Sequence, residues 1–330
     1  MIDIHLHLDG SLAVEDYLNL ALSEGVNLGD NFPECIFVPM DCPSLADYLT
    51  RFDIPVQLLQ SKNAIKYAVK SLVHRLSFLG YIYVEIRFAP LLHLQKGLTQ
   101  LEVAQAALEG LEEALFQCPN IEANLILCCM RHASEELNLE TIEVANKLKG
   151  TRVVAVDLAG GEKLHPSSYF KNVFDRAKQY GLNITIHAGE ATGSDEVMMA
   201  LDNGAKRIGH GVHLSLDPET IKRVKDLDIC FEFCPTSNLQ TKSLRTYQDV
   251  PLRQFMAAGI PVTINSDNMT VSNVNAVSEL SIMKKTFNLS KDEVYNLLLN
   301  SVYYSFAKPE TKRKLKEKLD RRITEFYYNI

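Results

Sequence analysis

The stretch Ile2-Asp3-Ile4-His5-Leu6-His7 is a short run with an apolar residue at every second position. Its length and its isoleucine and leucine content predict a buried strand. Seven further runs of similar length are rich in Ile, Val and Phe, as expected for strands that are covered on both faces of a parallel sheet. These runs are residues 82–88, 123–128, 152–157, 183–187, 207–209, 229–233 and 261–265.

Helical patterns separate these predicted strands. Residues 44–59 and 290–304 have helical character, and Ser290 with Glu293 forms a capping-box signal at the start of the second stretch. A third stretch places apolar residues at spacings of three and four, which gives one apolar stripe along a helix. The residues of that stripe are Leu101, Ala104, Leu108, Leu111 and Leu115.

Eight strands that alternate with helices predict an α/β fold, a single (β/α)8 barrel of the TIM type over residues 1–330. A doubly wound open sheet is the alternative arrangement. No low-complexity linker or internal repeat divides the chain. Because the second predicted strand begins only near residue 82, we expect residues 44–61 to form a helical lid insertion after the first strand.

Composition and charge restrict the class of partner. The 330 residues are 46% hydrophobic and 23% charged, which is typical of a globular protein. A net charge of −7 argues against nucleic acid as a partner, because a polyanion requires a basic surface. The locally basic stretch 308–322 is interpreted as the solvated face of an amphipathic terminal helix.

Cysteine usage and hydropathy bear on the compartment. The seven cysteines are scattered and form no CxxC pair, which is typical of free thiols in a reducing compartment. No signal peptide is visible, and no apolar run reaches the roughly 18 residues that a membrane span needs. We therefore expect a cytoplasmic protein without membrane contacts.

His5 and His7 are two residues apart on the first predicted strand, so both imidazoles face the same side. Together they are a candidate pair of metal ligands. A pair of hydrogen-bonded core histidines is the alternative, and the spacing alone does not separate the two.

Polar residues also end three later strands. His187 closes residues 183–187, His210 follows 207–209, and Asp267 follows 261–265. In a barrel the carboxyl ends of all strands face one mouth, so three histidines and one aspartate would meet there around a catalytic zinc. Glu190 and His210 would manage protons at the same mouth.

Each of these residues also has a structural interpretation. Glu190 would suit the first turn of a helix, where a carboxylate interacts favourably with the helix dipole. His210 would serve as a packing residue, and Asp267 as a helix N-cap.

The order of these motifs resembles the adenosine deaminase family of the metal-dependent amidohydrolases, along nearly the whole chain. The matching motifs are HLHLDGSL at 5–12, SLADYLTRFD at 44–53, YVEIRFAP at 83–90, DLAGGE at 157–162, HAGE at 187–190, GHG at 209–211, CPTSN at 234–238 and NSD at 265–267. The set is specific, whereas each single motif is not.

The resemblance implies a role for each matching residue. His5, His7, His187 and Asp267 would bind one Zn²⁺ per chain. Glu190 would donate a proton to the purine nitrogen N1, and His210, with Asp267 as its partner, would orient or deprotonate the attacking water. Gly160 would meet the N3 edge of the base through its backbone. The family's apolar lid would be formed by Leu45, Tyr48, Leu49 and Phe52. The reaction implied is hydrolytic deamination of adenosine to inosine and ammonia.

Substrate choice depends on fewer residues. Asp9 lies where adenosine deaminases place an aspartate that holds the ribose 5′-hydroxyl, and such a carboxylate should reject a phosphate. The alternative for Asp9 is a turn-forming residue before Gly10. Free adenine, 5′-modified adenosines and N6-methylated purines stay open as substrates.

Two positions depart from the family pattern. Asn268 stands where many members have an aspartate that contacts N7, and an amide donates to this acceptor without any change in ionisation. Gly161 stands where an acidic residue is frequent, which predicts a looser loop near the base.

Other classes fit less well. Cytidine-deaminase chemistry needs HxE and PCxxC motifs, whereas this chain has HxxE at His187 and no PCxxC. A dinuclear amidohydrolase requires a bridging lysine near the end of strand four, and residues 157–160 contain none. A purine-binding protein without turnover is the remaining class. It is disfavoured because neither a metal-ligating residue nor the proton donor Glu190 is missing from the sequence. Oligomeric state is not encoded in any motif.

Overall fold

Eight parallel strands pair in the order in which they occur along the chain. The computed structural model describes all of residues 1–330. The strands are β1 (Ile2–His7), β2 (Tyr83–Phe88), β3 (Glu122–Met130), β4 (Val153–Ala159), β5 (Asn183–Ala188), β6 (Arg207–His210), β7 (Cys230–Phe233) and β8 (Val262–Ile264). All eight predicted strands are therefore confirmed, and none of their ends shifts by more than two residues.

The sheet closes on itself just beyond its last strand. The amide of His7 donates to the Asp267 carbonyl at 2.8 Å, and the Asp267 amide donates to the His5 carbonyl at 2.9 Å. An isolated parallel bridge between Leu6 and Asp267 lies at the same place. This arrangement is the predicted (β/α)8 barrel of the TIM type, and it excludes the doubly wound open sheet, whose edges stay unpaired.

Helices surround the barrel. They are α1 (Val14–Glu24), α2 (Leu45–Leu49), α3 (Asp53–Leu58), α4 (Lys62–Phe78), α5 (Gln100–Gln117), α6 (Glu135–Lys147), α7 (Lys171–Gln179), α8 (Ser194–Asp202), α9 (Pro218–Asp226), α10 (Pro235–Gln240), α11 (Leu252–Ala258), α12 (Ala276–Phe287), α13 (Lys291–Tyr304) and α14 (Pro309–Asn329). The predicted capping box starts α13, where the Ser290 side chain accepts from the Glu293 amide. No helix is both long and apolar enough to cross a membrane.

The predicted helical segment between β1 and β2 is divided into two short helices. Residues 44–59 form α2, a 3₁₀ turn over Thr50–Phe52, and then α3. Pro55 in the first turn of α3 suits a newly started helix rather than a helix interior. The broken path lets the segment curve over one end of the barrel.

The interior of the barrel is charged rather than purely apolar. Fully buried acidic and basic side chains project from the strands among the aliphatic residues, namely Asp3, Glu85, Arg87, Asp157, Arg207 and Glu232. Buried charges are tolerated only when they are paired and hydrogen-bonded. Their partners, described below, lie beneath the mouth of the barrel.

Candidate metal centre and active site

Four side chains converge at the carboxyl end of the barrel. His5 and His7 project from β1, His187 from β5, and Asp267 follows β8. One ligand atom from each residue lies within 4.8 Å of the corresponding atoms of the others. The Nε2 atoms of His5 and His7 lie 3.5 and 3.3 Å from Asp267 Oδ1, and His7 Nε2 lies 3.2 Å from His187 Nε2.

The donor atoms of this cluster suit a divalent cation. His5 Nε2 is buried and has no hydrogen-bond partner, which is costly for a polar atom unless a further group binds there. Three imidazole nitrogens and one carboxylate oxygen are a ligand set that zinc accepts, with room for a water molecule. The residues present therefore fit the metal that the sequence predicted.

A second layer of carboxylates orients these histidines. His5 Nδ1 lies 2.7 Å from Glu232 Oε2, and His187 Nδ1 lies 3.1 Å from Asp157 Oδ2. An imidazole that donates from Nδ1 presents the lone pair of Nε2 to a metal. Arg87 contacts both carboxylates, each at 2.9 Å, so one guanidinium connects Glu232 behind His5 with Asp157 behind His187.

The buried charges keep these carboxylates ionised. Although burial opposes ionisation of Asp157, His187 and Arg87 hold its pKa well below the usual value. Burial likewise opposes ionisation of Glu232, and Arg207 and Arg87 lower its pKa. Both acids are therefore acceptors for imidazole N–H groups across the neutral pH range.

Asp157→Asn should weaken metal binding by about 10- to 100-fold, because an amide is a poorer acceptor for the His187 imidazole. Competition with a chelator at fixed pH measures this affinity. Glu85→Gln is the matched control: Glu85 is a buried partner of Arg207, at 2.6 Å, but contacts none of the four ligands. Equal metal affinity in the two variants would contradict the orienting role of Asp157.

The backbone at the barrel mouth is shaped to admit these rings. A Cβ on Gly209 would lie 2.9 Å from His5 Cε1, so only glycine leaves space for the imidazole there. His210 and Asp267 adopt left-handed φ values of 62° and 59°. Such conformations are unfavourable for residues with side chains and concentrate at functional sites.

Glu190 and His210 lie side by side at the same mouth. Glu190 Oε2 is 3.7 Å from His210 Nε2, and the Thr241 hydroxyl donates to Glu190 Oε1 at 2.9 Å. Asn238 lies 3.0 Å from His210 Nδ1 and fixes the plane of that ring. Burial raises the pKa of Glu190, which favours the protonated carboxyl that a general acid requires.

The structure contradicts the structural interpretations of Glu190 and Asp267. Glu190 lies between β5 and α8 rather than in the first turn of a helix. The N-cap of α12 is Asn275 and not Asp267. His210 is buried and also borders a cavity.

A cavity of about 410 Å³ opens above the cluster. It is lined by every residue predicted for catalysis, metal binding or substrate contact except His5, which lies behind the surface and is fully buried. No lysine or arginine lines the cavity, whereas Asp9, Asp53, Glu190 and Asp267 do. A lining that has carboxyl groups but no lysine or arginine disfavours anionic ligands.

Asp9 is a buried acceptor that faces this cavity. Its Oδ1 atom has no hydrogen-bond partner, and His93 Nε2 lies 3.6 Å away, beyond hydrogen-bond distance. Burial lowers the pKa of His93 to about 4, so this imidazole is neutral near pH 7. Burial raises the pKa of Asp9 to about 7. An unpartnered acceptor on a cavity wall is a site where a ligand hydroxyl would bind.

The predicted lid residues Leu45, Tyr48, Leu49 and Phe52 all border the cavity. The Asn268 amide donates to the Tyr48 hydroxyl at 3.0 Å, and that hydroxyl lies 2.8 Å from Ser272 Oγ. These contacts attach the lid segment to the residues after β8. A Cβ on Gly161 would meet nothing within 4 Å, so the missing acidic side chain leaves open space at the rim.

Several residues of the site had no predicted role. Asn238 and Thr241 contact His210 and Glu190, and Asp157, Glu232 and Arg87 form the layer behind the histidines. The motifs YVEIRFAP, DLAGGE and CPTSN contain Arg87, Asp157 and Asn238, so their presence was a usable signal. Glu232 and Thr241 lie outside those motifs, and only the fold reveals them.

The chain is similar to known proteins both in sequence and in structure. The chain is 43% identical to the adenosine deaminase of Haemophilus ducreyi over 334 residues, which covers 98% of this chain and 97% of that protein. In structure it is similar to adenine deaminase from Arthrobacter aurescens, with a TM-score of 0.87, 24% identity and 98% coverage of both chains. It is also similar to an amidohydrolase from Burkholderia ambifaria with bound Zn, with a TM-score of 0.90, 18% identity and coverage of 99% and 91%. The last two likenesses concern the fold alone.

The match to a protein family extends over nearly the whole chain. The profile of the adenosine deaminase family matches residues 1–322. The barrel, the four converging side chains and the similarity over nearly full length together show that this chain is an enzyme of the adenosine deaminase family.

Proposed function

We propose that this chain catalyses the zinc-dependent hydrolysis of adenosine to inosine and ammonia. One observation carries the proposal: a three-histidine, one-aspartate cluster, of which all but His5 line the cavity, lies beside a buried Glu190 and an unpartnered Asp9 in the same lining. His5, His7, His187 and Asp267 would hold the metal. A bound zinc lowers the pKa of a water molecule from 15.7 to about 7 and so supplies a nucleophile at neutral pH.

The chain's own residues account for the remaining proton movements. Glu190 donates a proton to N1 of the purine, which makes C6 electrophilic. His210 orients the attacking water and accepts its proton, and Asp267 is its partner in holding that water. Addition at C6 gives a tetrahedral carbon that bears a hydroxyl and the amino group. The proton held by His210 passes to the amino group, which leaves as ammonia, and the C6 hydroxyl proton returns to Glu190, so inosine is left with N1–H and a C6 carbonyl.

The lining of the cavity selects the base and the sugar. Gly160 and Asn268 both line the cavity, and Asn268 retains a second N–H for N7 after it donates to Tyr48. Asp9 accepts from the ribose 5′-hydroxyl. A 5′-phosphate would find no lysine or arginine on the cavity wall and would face Asp9, so nucleotides are poor substrates.

We further propose that residues 1–330 act as one catalytic domain in which residues 44–61 form the lid. The apolar side chains of Leu45, Leu49 and Phe52 cover the cavity and exclude bulk water from the reaction. Tyr48 fastens this cover to the barrel through Asn268 and Ser272.

An assay on purified, metal-replete protein tests the proposal. The absorbance change on deamination is followed for adenosine, adenine, 5′-deoxyadenosine, 5′-methylthioadenosine, N6-methyladenosine and AMP. We expect adenosine to have the highest kcat/KM and AMP to be the poorest substrate. Preference for free adenine would favour the adenine deaminase alternative, and absence of turnover with every purine would leave only a purine-binding protein.

Asp9→Ala separates sugar recognition from chemistry. We expect kcat/KM for adenosine to fall by about 10- to 100-fold, the worth of a hydrogen bond to a charged group. Because 5′-deoxyadenosine and adenine lack the hydroxyl, their values should change much less. Equal losses for all three substrates would remove Asp9 from the ribose site.

A further inference from the structure

Glu162 is a buried carboxylate that holds the backbone on both sides of Glu190. It lies on the loop after β4, and only 4% of its surface is exposed. One oxygen accepts from the Gly189 amide at 2.9 Å, and the other accepts from the amides of Ala191 and, at 2.6 Å, Thr192. Three N–H groups of one short loop therefore converge on a single side chain.

The loop that carries Glu190 has little other support. It runs from the end of β5 at Ala188 to the start of α8 at Ser194, outside regular structure. Gly189 adopts a left-handed φ of +70°, which turns the chain sharply at the end of the strand. Backbone amides in such a loop lose protein partners unless a side chain supplies them. Glu162 supplies the acceptor for three of them, through charge-assisted hydrogen bonds.

The position of Glu162 links two parts of the active site. It follows Gly160 by two residues, and Gly160 borders the cavity where the base is proposed to bind. The same short segment therefore contacts the base at one end and the loop of the proton donor at the other. The distance between the purine N1 and the Glu190 carboxyl depends on this connection.

We propose that Glu162 is a positioning residue that sets Glu190 against the purine N1. The proposal rests on the proposed function of Glu190 as proton donor. Glu162 holds the backbone on both sides of residue 190, while the Thr241 hydroxyl holds the Glu190 carboxyl at 2.9 Å. Displacement of a catalytic group by about 1 Å can cost on the order of 100-fold in rate.

Glu162→Gln is the variant that tests this role. The glutamine keeps the shape but has one acceptor oxygen, and its NH₂ group faces backbone N–H groups. We expect the single-turnover rate with adenosine to fall by about 10- to 100-fold, with metal content unchanged. Amide hydrogen exchange at residues 189, 191 and 192 should become faster, and this measurement does not depend on activity.

Two further readouts separate positioning from a general structural role. The inhibition constant of 1-deazaadenosine should stay near the wild-type value, because this analogue has a CH group in place of N1 and cannot receive the proton. The double variant Glu162→Gln/Glu190→Gln should be scarcely slower than Glu190→Gln alone, since a residue that acts through Glu190 has nothing left to position.

Glu196→Gln is the matched control. Glu196 is a neighbouring buried carboxylate that contacts Arg131 at 2.9 Å and the Ser167 amide at 2.8 Å, but none of the three loop amides. It should lower Tm without faster exchange at residues 189, 191 and 192. If Glu162→Gln does not fold, Glu162→Asp retains the charge on a shorter side chain and should show the same pattern with a smaller rate loss.

Two results would overturn the positioning role. One is an additional rate loss in the double variant equal to that of Glu162→Gln alone, and the other is a parallel loss of affinity for 1-deazaadenosine. Either result, in a protein that deaminates adenosine, refutes only the role of Glu162. Absence of deamination in the wild-type protein would instead refute the proposed function.

Discussion

Glu190→Gln is expected to lower kcat for adenosine by about 10²- to 10⁴-fold while the protein keeps its metal. The amide matches the carboxyl in shape and can still accept from the Thr241 hydroxyl, which lies 2.9 Å from Glu190 Oε1. It has no acidic proton to give to N1. The ring therefore stays a weak electrophile, although the base still binds.

The pH profile provides an independent check on this role. Burial raises the pKa of Glu190, so its carboxyl stays protonated to a higher pH than that of an exposed glutamate. Only the protonated form donates, so the wild-type rate should fall as the pH rises through this pKa. Glu190→Gln should lack that alkaline decline.

Metal analysis and a ground-state ligand complete the experiment. Metal content and the inhibition constant of 1-deazaadenosine should match the wild-type values, because neither depends on the transferred proton. A variant that retains more than about a tenth of the wild-type kcat would remove Glu190 from the role of general acid.

His187→Ala should have a larger effect, because it removes a ligand and not a proton donor. A catalytic zinc is held by few protein ligands, so the loss of one of them weakens binding strongly. We therefore expect the purified variant to contain much less zinc than the wild-type protein. Loss of activity should exceed the roughly 10²- to 10⁴-fold expected for Glu190→Gln. Elemental analysis and the adenosine assay on the same sample measure both effects.

His132→Ala is the matched control for this variant. His132 also lines the cavity, from the loop after β3, but it does not belong to the ligand cluster. Its zinc content should equal that of the wild-type protein. Full zinc occupancy in His187→Ala would show that His187 is not a ligand and would require a different assignment of the centre.

Much of the fold follows from local sequence patterns. A strand that is buried on both faces must be short and apolar, and a helix must repeat its apolar residues every three or four positions, so both leave a signature in neighbouring residues. The strands β1 and β5 therefore agree with their predicted ranges to within one residue. The lid segment is less predictable. Its apolar residues match a helical pattern, but this pattern does not reveal the 3₁₀ turn at Thr50–Phe52 that separates α2 from α3.

The candidate ligands were visible for a related reason. Strand ends in a parallel barrel meet at one mouth, so histidines and an aspartate at those ends were expected to converge once eight strands had been identified. The cluster of His5, His7, His187 and Asp267 agrees with that expectation. The roles of Glu190, His210 and Asp9 stay predictions until the variants above are measured.

The sequence by itself indicated eight short strands and placed His5, His7, His187, His210 and Asp267 at or just after their carboxyl ends, because strand length and spacing are short-range properties. Closure of the sheet into a barrel was seen only in the tertiary structure. Only the tertiary structure decided which buried charges support these side chains. His5 and Glu232 are 227 positions apart and His187 and Asp157 are 30 apart, yet both pairs are in contact. Glu162 likewise reaches residues 27 to 30 positions away. No local pattern records such partners, because buried charges are paired only where closure of the barrel brings distant strands together.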